Sequence, residues 1–160
     1  MNGQVIFIAV VLCSTVPTMA RDLVIPDPNI TPGVMLPISK MVVCNTKWGL
    51  DKRHVTAKMK REVFILYGLS GRDDKSCRLD SHGRRWEIDH LEPRQLGGAD
   101  VLPNIWPQCY SGRWNANMKD RLENLLHRKV CAGEISLKMA QKEFVGDWRI
   151  AHRKYFGVSK

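Results

Sequence analysis

The chain has 160 residues and a formal net charge of +9, with 44% hydrophobic and 26% charged residues. That length suits one domain with a real core and not comfortably two, and the balance excludes a disordered chain. The charge excess either serves solubility alone or points to a polyanionic partner: nucleic acid, an anionic membrane surface or an acidic glycan.

The first twenty residues, MNGQVIFIAVVLCSTVPTMA, carry no charged side chain and hold an apolar run from Val5 to Leu12. Small residues at Thr18 and Ala20 precede Arg21, so residues 1–20 read as a secretory signal peptide, too short for a comfortable transmembrane span. Cleavage there would remove Cys13 and leave Cys44, Cys77, Cys109 and Cys131, which in an exported chain suggest two disulfides among three possible pairings. No Cys-x-x-Cys pair is present, which argues against a zinc knuckle.

Residues 21–43 contain Pro26, Pro28, Pro32 and Pro37 and read as an extended N-terminal arm, with a short strand at 41–44. Thr56 can cap a helix to about Tyr67, with Met59, Val63, Leu66 and Tyr67 on one face and Gly68 ending it. Residues 70–83 form a polar loop. Trp86 to His90 reads as a strand, Gly97-Gly98 as a tight bend, and 101–106 as a second short strand or loop limited by Pro103. Asn115 is a plausible cap for a helix with Met118, Leu122, Leu125, Leu126 and Val130 as its apolar stripe, ended by Gly133. Ser136 can cap one last helix that buries Leu137, Ala140, Phe144, Trp148 and Ala151. The fold class is therefore α+β, with residues 44–160 as a single domain.

The chemistry-bearing stretch is RRWEIDHLEPRQLGG, residues 84–98. Neighbours on a strand point to opposite faces, so Asp89 and His90 can share one site only where the strand ends or bends. Asn104 lies in the returning segment, and Asn117, followed by Lys119, lies in the first turn of the strong helix. Taken singly, these are a hydrogen-bonded pair, a turn residue and helix-start residues.

Taken in order, EIDHLEPRQLGGADVLPNIWPQ…NANMKDRLEN resembles the HNH, or ββα-metal, endonucleases, in which an Asp-His pair ends the first strand, an Asn follows and a His or Asn opens the helix. The upstream Thr31-Pro32-Gly33, Cys44 and Tyr67-Gly68 are similar to landmarks of an exported branch of that family. The resemblance implies a ββα-metal core with flanking helices and a largely nonspecific, metal-dependent endonuclease acting on DNA, with RNA as a further substrate. It implies His90 as general base, Asp89 and Asn117 as ligands of one divalent cation, and Asn104 as the residue that orients His90 or its loop. Glu87 shares strand parity with Asp89 and is a candidate second support for the site, or a partner for Arg94. Arg94, Arg113, Lys119 and Arg121 are candidates to bind flanking phosphates. Asn117 stands where this branch commonly has His; an amide oxygen favours Mg²⁺ or Mn²⁺ over Zn²⁺ or Ni²⁺. The same residue keeps open a second function, a catalytically inactive basic nucleic-acid-binding protein on an HNH scaffold. A glycan hydrolase using Glu87 and Asp89 ranks third, because two carboxylates two residues apart on one strand lack the separation that glycosidases use. The implied ββα arrangement also brings Cys77 near Cys109, which leaves Cys44 to pair with Cys131. His54, His82, His127 and His152 fit no place in the motif.

Overall fold

The computed structural model describes residues 23–157. The chain is α+β: five α-helices surround one two-stranded antiparallel sheet among the described residues. In chain order these are α1 (Lys40–Asn45), α2 (Ala57–Leu66), β1 (Trp86–His90), β2 (Ile105–Cys109), α3 (Ala116–Ala132), α4 (Leu137–Lys142) and α5 (Trp148–Phe156). Short 3-10 turns at Arg94–Leu96 and Leu102–Asn104 lie in the connection between the strands. None of these helices is long and apolar enough to cross a membrane. The signal peptide expected at 1–20 lies outside the described residues.

The hairpin register pairs Trp86 with Cys109, Ile88 with Pro107 and His90 with Ile105. Leu91 N donates to Asn104 O (2.8 Å), and Tyr110 N donates to Arg85 O (2.9 Å). Odd-numbered residues of β1 therefore sit in hydrogen-bonded pairs, and Ile88 opposite Pro107 falls in a non-bonded pair. This is why a proline is tolerated inside β2: the ladder asks nothing of its missing N–H. It also sends the carbonyls of Ile88 and His90 out of the free edge of β1, where each needs another donor.

One hairpin face carries Trp86, Ile88 and Ile105, which join Val63, Phe64 and Tyr67 around α2 in one apolar cluster. Phe64, not Leu66, completes the buried face of α2; Leu66 is 47% exposed. The other face carries Glu87, Asp89, Trp106 and Gln108, and α3 lies across it, Lys119 Nζ standing 3.0 Å from Asp89 and 5.2 Å from the Trp106 ring centre. Behind α3, Leu122, Leu126 and Val130 pack with Ala140, Phe144, Trp148 and Ala151 in a second cluster. The layers are helix, hairpin, helix.

The segment before α1 ties the two clusters together. Trp106 Nε1 donates to Leu23 O (3.0 Å) and Trp148 Nε1 to Val24 O (2.8 Å). Thr31, fully buried, shares a 2.8 Å hydrogen bond with the Tyr67 hydroxyl and donates to Ile105 O. Gly33 N donates to Pro103 O (3.0 Å), and Met35 bridges to Gly98.

Two expected elements change. Residues 41–44 are helical, not a strand: Ser39 Oγ accepts from Val42 N, and only Val43 of α1 is buried. The last helix is two helices. Gly146, at φ 84°, breaks it, and the Asp147 carboxylate accepts from Arg149 N to start α5. The apolar spacing carried across the break because Ala140, Phe144, Trp148 and Ala151 still face one core. The second strand begins at Ile105, after the 3-10 turn that holds Pro103. The caps at Thr56, Asn115 and Ser136 stand, each accepting from the backbone N–H three residues on, and Gly133 ends α3 at φ 80°. The cysteine pairs are Cys44–Cys131 and Cys77–Cys109, with Cα atoms 5.5 and 5.8 Å apart.

Candidate active site

The end of β1 opens into a cleft of about 360 Å³ lined by Asp89, His90, Glu87, Arg53, Asp120 and Glu123, among others. Asp89 and His90 point to opposite strand faces, yet both reach it, because β1 is an edge strand and stops there. The two outward carbonyls of that edge are capped by cations: Arg53 Nη2 donates to Ile88 O (2.5 Å) and Lys119 Nζ to His90 O (2.5 Å).

His90 is 4% exposed, and its ring is held more firmly at Nε2 than at Nδ1. Nε2 lies 2.8 Å from Asp100 Oδ1, which assigns the proton to Nε2, while Nδ1 meets only Arg53 Nη2 at 3.4 Å. Burial, then the Arg53 charge, lowers the His90 pKa to about 4, so the imidazole is neutral at pH 7. Asp100 is itself held by His54 N (2.6 Å) and Arg94 Nε (3.1 Å). Burial would raise its pKa, but the hydrogen bonds from His54 and His90 and the Arg94 charge outweigh that and lower it.

Across the cleft, Asp89, Asp120 and Glu123 each bring one carboxylate oxygen within 4.8 Å of the others. Asp120 and Glu123 are three apart on α3 and so share a face. Asp89 Oδ1 accepts from its neighbour His90 N (2.7 Å). Its Oδ2 is buried; Lys119 approaches it at 3.0 Å as an ion pair but out of hydrogen-bond alignment, so acceptor capacity remains there. Lys119, completely buried, also pairs with Glu123. Burial, then Asp89, raises the pKa of both Glu87 (to about 7) and Asp120 (to about 6). Glu123 is raised by burial, with the Lys119 charge working against it. Asp89, Asp120 and Glu123 surround one buried ammonium with hard oxygen donors, and the upward shifts at Asp120 and Glu123 mark carboxylates that one ammonium does not fully compensate. That donor set fits Mg²⁺ or Mn²⁺.

The expected residues fare unevenly. His90, Asp89 and Glu87 come together in the cleft. Asn104 does not reach it: its carboxamide is wholly buried, accepting from Glu92 N (2.9 Å) and Val34 N (3.2 Å) and donating to Glu92 O (3.0 Å) and Ala99 O (2.9 Å). Three of these bonds clamp the loop that follows His90 and the fourth ties it to Val34 in the N-terminal segment, so Asn104 orients that loop, as the resemblance implies, without lining the cleft. Asn117 does not line the cleft; it is exposed one turn ahead of Asp120, where Arg84 Nη2 donates to its Oδ1 (3.4 Å). The acidic groups from α3 are Asp120 and Glu123 instead. Lys119 offers nothing to an outside phosphate, because it is buried among carboxylates. Arg94 lines the cleft but is bound to Asp51, Asp100 and Lys52 O. Arg113 lies over the Trp114 ring (5.9 Å) and Arg121 over Phe156 (5.2 Å), both outside the cleft.

Three residues here escaped sequence reasoning: Asp100, Asp120 and Glu123. The i, i+3 carboxylates of KDRLE were visible as a pair on one helical face. Nothing in the order of residues marks Arg53 or Asp100 as neighbours of His90.

Compared with family models, curated proteins and solved structures, the chain matches none.

Proposed function

We propose that the protein is an exported, metal-dependent endonuclease of the HNH type that hydrolyses phosphodiester bonds in DNA, and in RNA as a second substrate, with little regard for sequence. One observation carries this reading: an imidazole with a weakly engaged Nδ1 faces three clustered carboxylates across one cleft. The β1–β2–α3 order, with a buried Asn clamping the loop after the Asp-His pair, supports it. The two cysteine pairs fit an oxidising compartment, periplasmic or extracellular.

Nδ1 of His90 is placed to take a proton from water, while Asp100 holds the ring and balances the imidazolium that forms. Arg53, 3.4 Å from Nδ1, is placed to bind the phosphate beside the attacking water. Phosphate binding would also neutralise the charge that depresses the His90 pKa, making the imidazole a stronger base when substrate is present. Asp89, Asp120 and Glu123 would hold the divalent cation, which supplies charge stabilisation for the phosphate and the leaving oxygen.

The test uses oxidised protein with supercoiled plasmid or RNA, in Mg²⁺, Mn²⁺ or chelator. Metal-dependent nicking that His90→Ala abolishes in a folded protein is expected; unchanged nicking in that variant would remove His90 from its role. A second reading, a basic protein that binds nucleic acid without cutting it, has one observation in its favour. The Lys119 ammonium already neutralises part of the acidic group. Salt-sensitive DNA binding with no cleavage in either metal would select it.

A further inference from the structure

Arg53 and Glu87 line the acidic cleft and also a second cavity, of about 530 Å³, between α2 and β1. Its floor is apolar: Phe64, Trp86 and Ile88 are each under a tenth exposed. Its rim is cationic. Lys60 and Arg61 come from α2 and Arg72 from the loop beyond it, joining Arg53, and Glu87 is the single carboxylate among the lining residues. On α2 the positions 57, 60, 61, 64 and 65 follow helical spacing, so one face of the helix forms one wall.

A track for duplex phosphates needs cations but no apolar floor. A depression with an apolar floor and four lining cations, sharing Arg53 with the cleft at His90, fits a flat, weakly polar ring carried on an anionic backbone. The volume lies within the range of about 300–1,000 Å³ found for small-ligand pockets. In duplex nucleic acid such a ring is stacked and paired and costs energy to extract, whereas in a single strand it is already available.

We infer that this cavity binds an unpaired nucleobase adjoining the phosphate at His90, so that single-stranded polynucleotide is the preferred substrate. The inference rests on the nuclease reading for the identity of its ligand.

Binding is measured on the oxidised full chain in chelator, where the metal needed for cleavage is withheld, by fluorescence anisotropy. The probes are oligothymidylate, oligouridylate, a duplex of equal length and a strand of the same charge built from abasic spacers. Either natural single strand should bind about tenfold tighter than the abasic strand, the magnitude expected of one stacked base. The ratio of the two natural strands separates DNA from RNA. Ile65→Asp, at a cavity residue 73% exposed and so safe for folding, should erase most of that difference. Equal binding of abasic and base-bearing strands, or duplex binding as tight as single strand, would overturn the inference. The nuclease reading fails on a separate result: no metal-dependent nicking by a protein that still binds bases.

Discussion

At the scale of single residues, His90 draws its character from partners distant in sequence. The Asp100 carboxylate selects the tautomer, and the Arg53 guanidinium and burial keep the ring neutral. Asp100→Asn removes the charge and lets an amide N–H face the ring, which favours the wrong tautomer. We expect nicking to fall at least tenfold (order of magnitude from triad carboxylates) while oligonucleotide binding in chelator stays unchanged; equal rates would deny Asp100 its positioning role. Lys119 makes the opposite point. Lys119→Met leaves Asp89 and Glu123 buried without a counter-charge, a loss of about 3–5 kcal/mol at pH 7. Urea denaturation should show that loss shrinking toward pH 5, where Glu123, its pKa raised by burial, takes up a proton.

At the scale of elements, the loop from Leu91 to Ala99 matters most, because it sets where β1 stops and where Asp100 stands. Gly97 sits at φ 101°, and a Cβ on Gly98 would lie 1.7 Å from the Glu92 carbonyl oxygen. Gly98→Ala must therefore displace backbone. It should cost about 3 kcal/mol by overpacking alone and disturb the His90–Asp100 contact, visible as lost nicking along with a lowered urea midpoint. The strand Trp86–His90 was legible to the residue, because its alternation and the turn signals after it are local. The division of the last helix was not, since the apolar spacing runs through it without interruption. Only the Gly146-Asp147 pair marks the break, and such a pair signals a break only when the core on either side needs a new helix direction.

At the scale of the whole molecule, charge burial and cross-links set how the fold responds to conditions. Glu87, Glu92 and Asp120 have pKa values raised to about 7, 7 and 6, chiefly by burial, so the folded state binds their protons more tightly than the unfolded chain. Their contribution is present at low pH and is lost as pH rises from the ordinary carboxylate range through those values. His90, lowered to about 4, runs the other way and loses stability as pH falls from 6.5. Glu123 is likewise raised by burial, and His152 is likewise lowered by it. Four groups outweigh two, so in chelator the melting temperature should fall between pH 5 and 7.5. Mn²⁺ or Mg²⁺ should restore it more at pH 7.5 than at pH 5; a metal effect independent of pH would separate the cation from these carboxylates. The Cys44–Cys131 link spans 87 residues and joins α1 to the end of α3. Replacing both cysteines by serine should cost about 4 kcal/mol in urea denaturation.

The order of residues alone determined what depends on near neighbours: the hairpin's first strand, the helix caps at Thr56, Asn115 and Ser136, the glycine bend, and the grouping of Asp89 with His90. Caps and turns are satisfied within a few residues, so their signals survive without a fold. Tertiary structure alone decided which polar groups share a cleft. Lys119 reads as a surface cation until α3 is laid across Asp89, and the partners through which Asn104 holds the loop, Val34, Glu92 and Ala99, meet only in the fold. Asn117 and Asp120 are a single helical turn apart, and only the packing of α3 on the hairpin decides which of them faces the site.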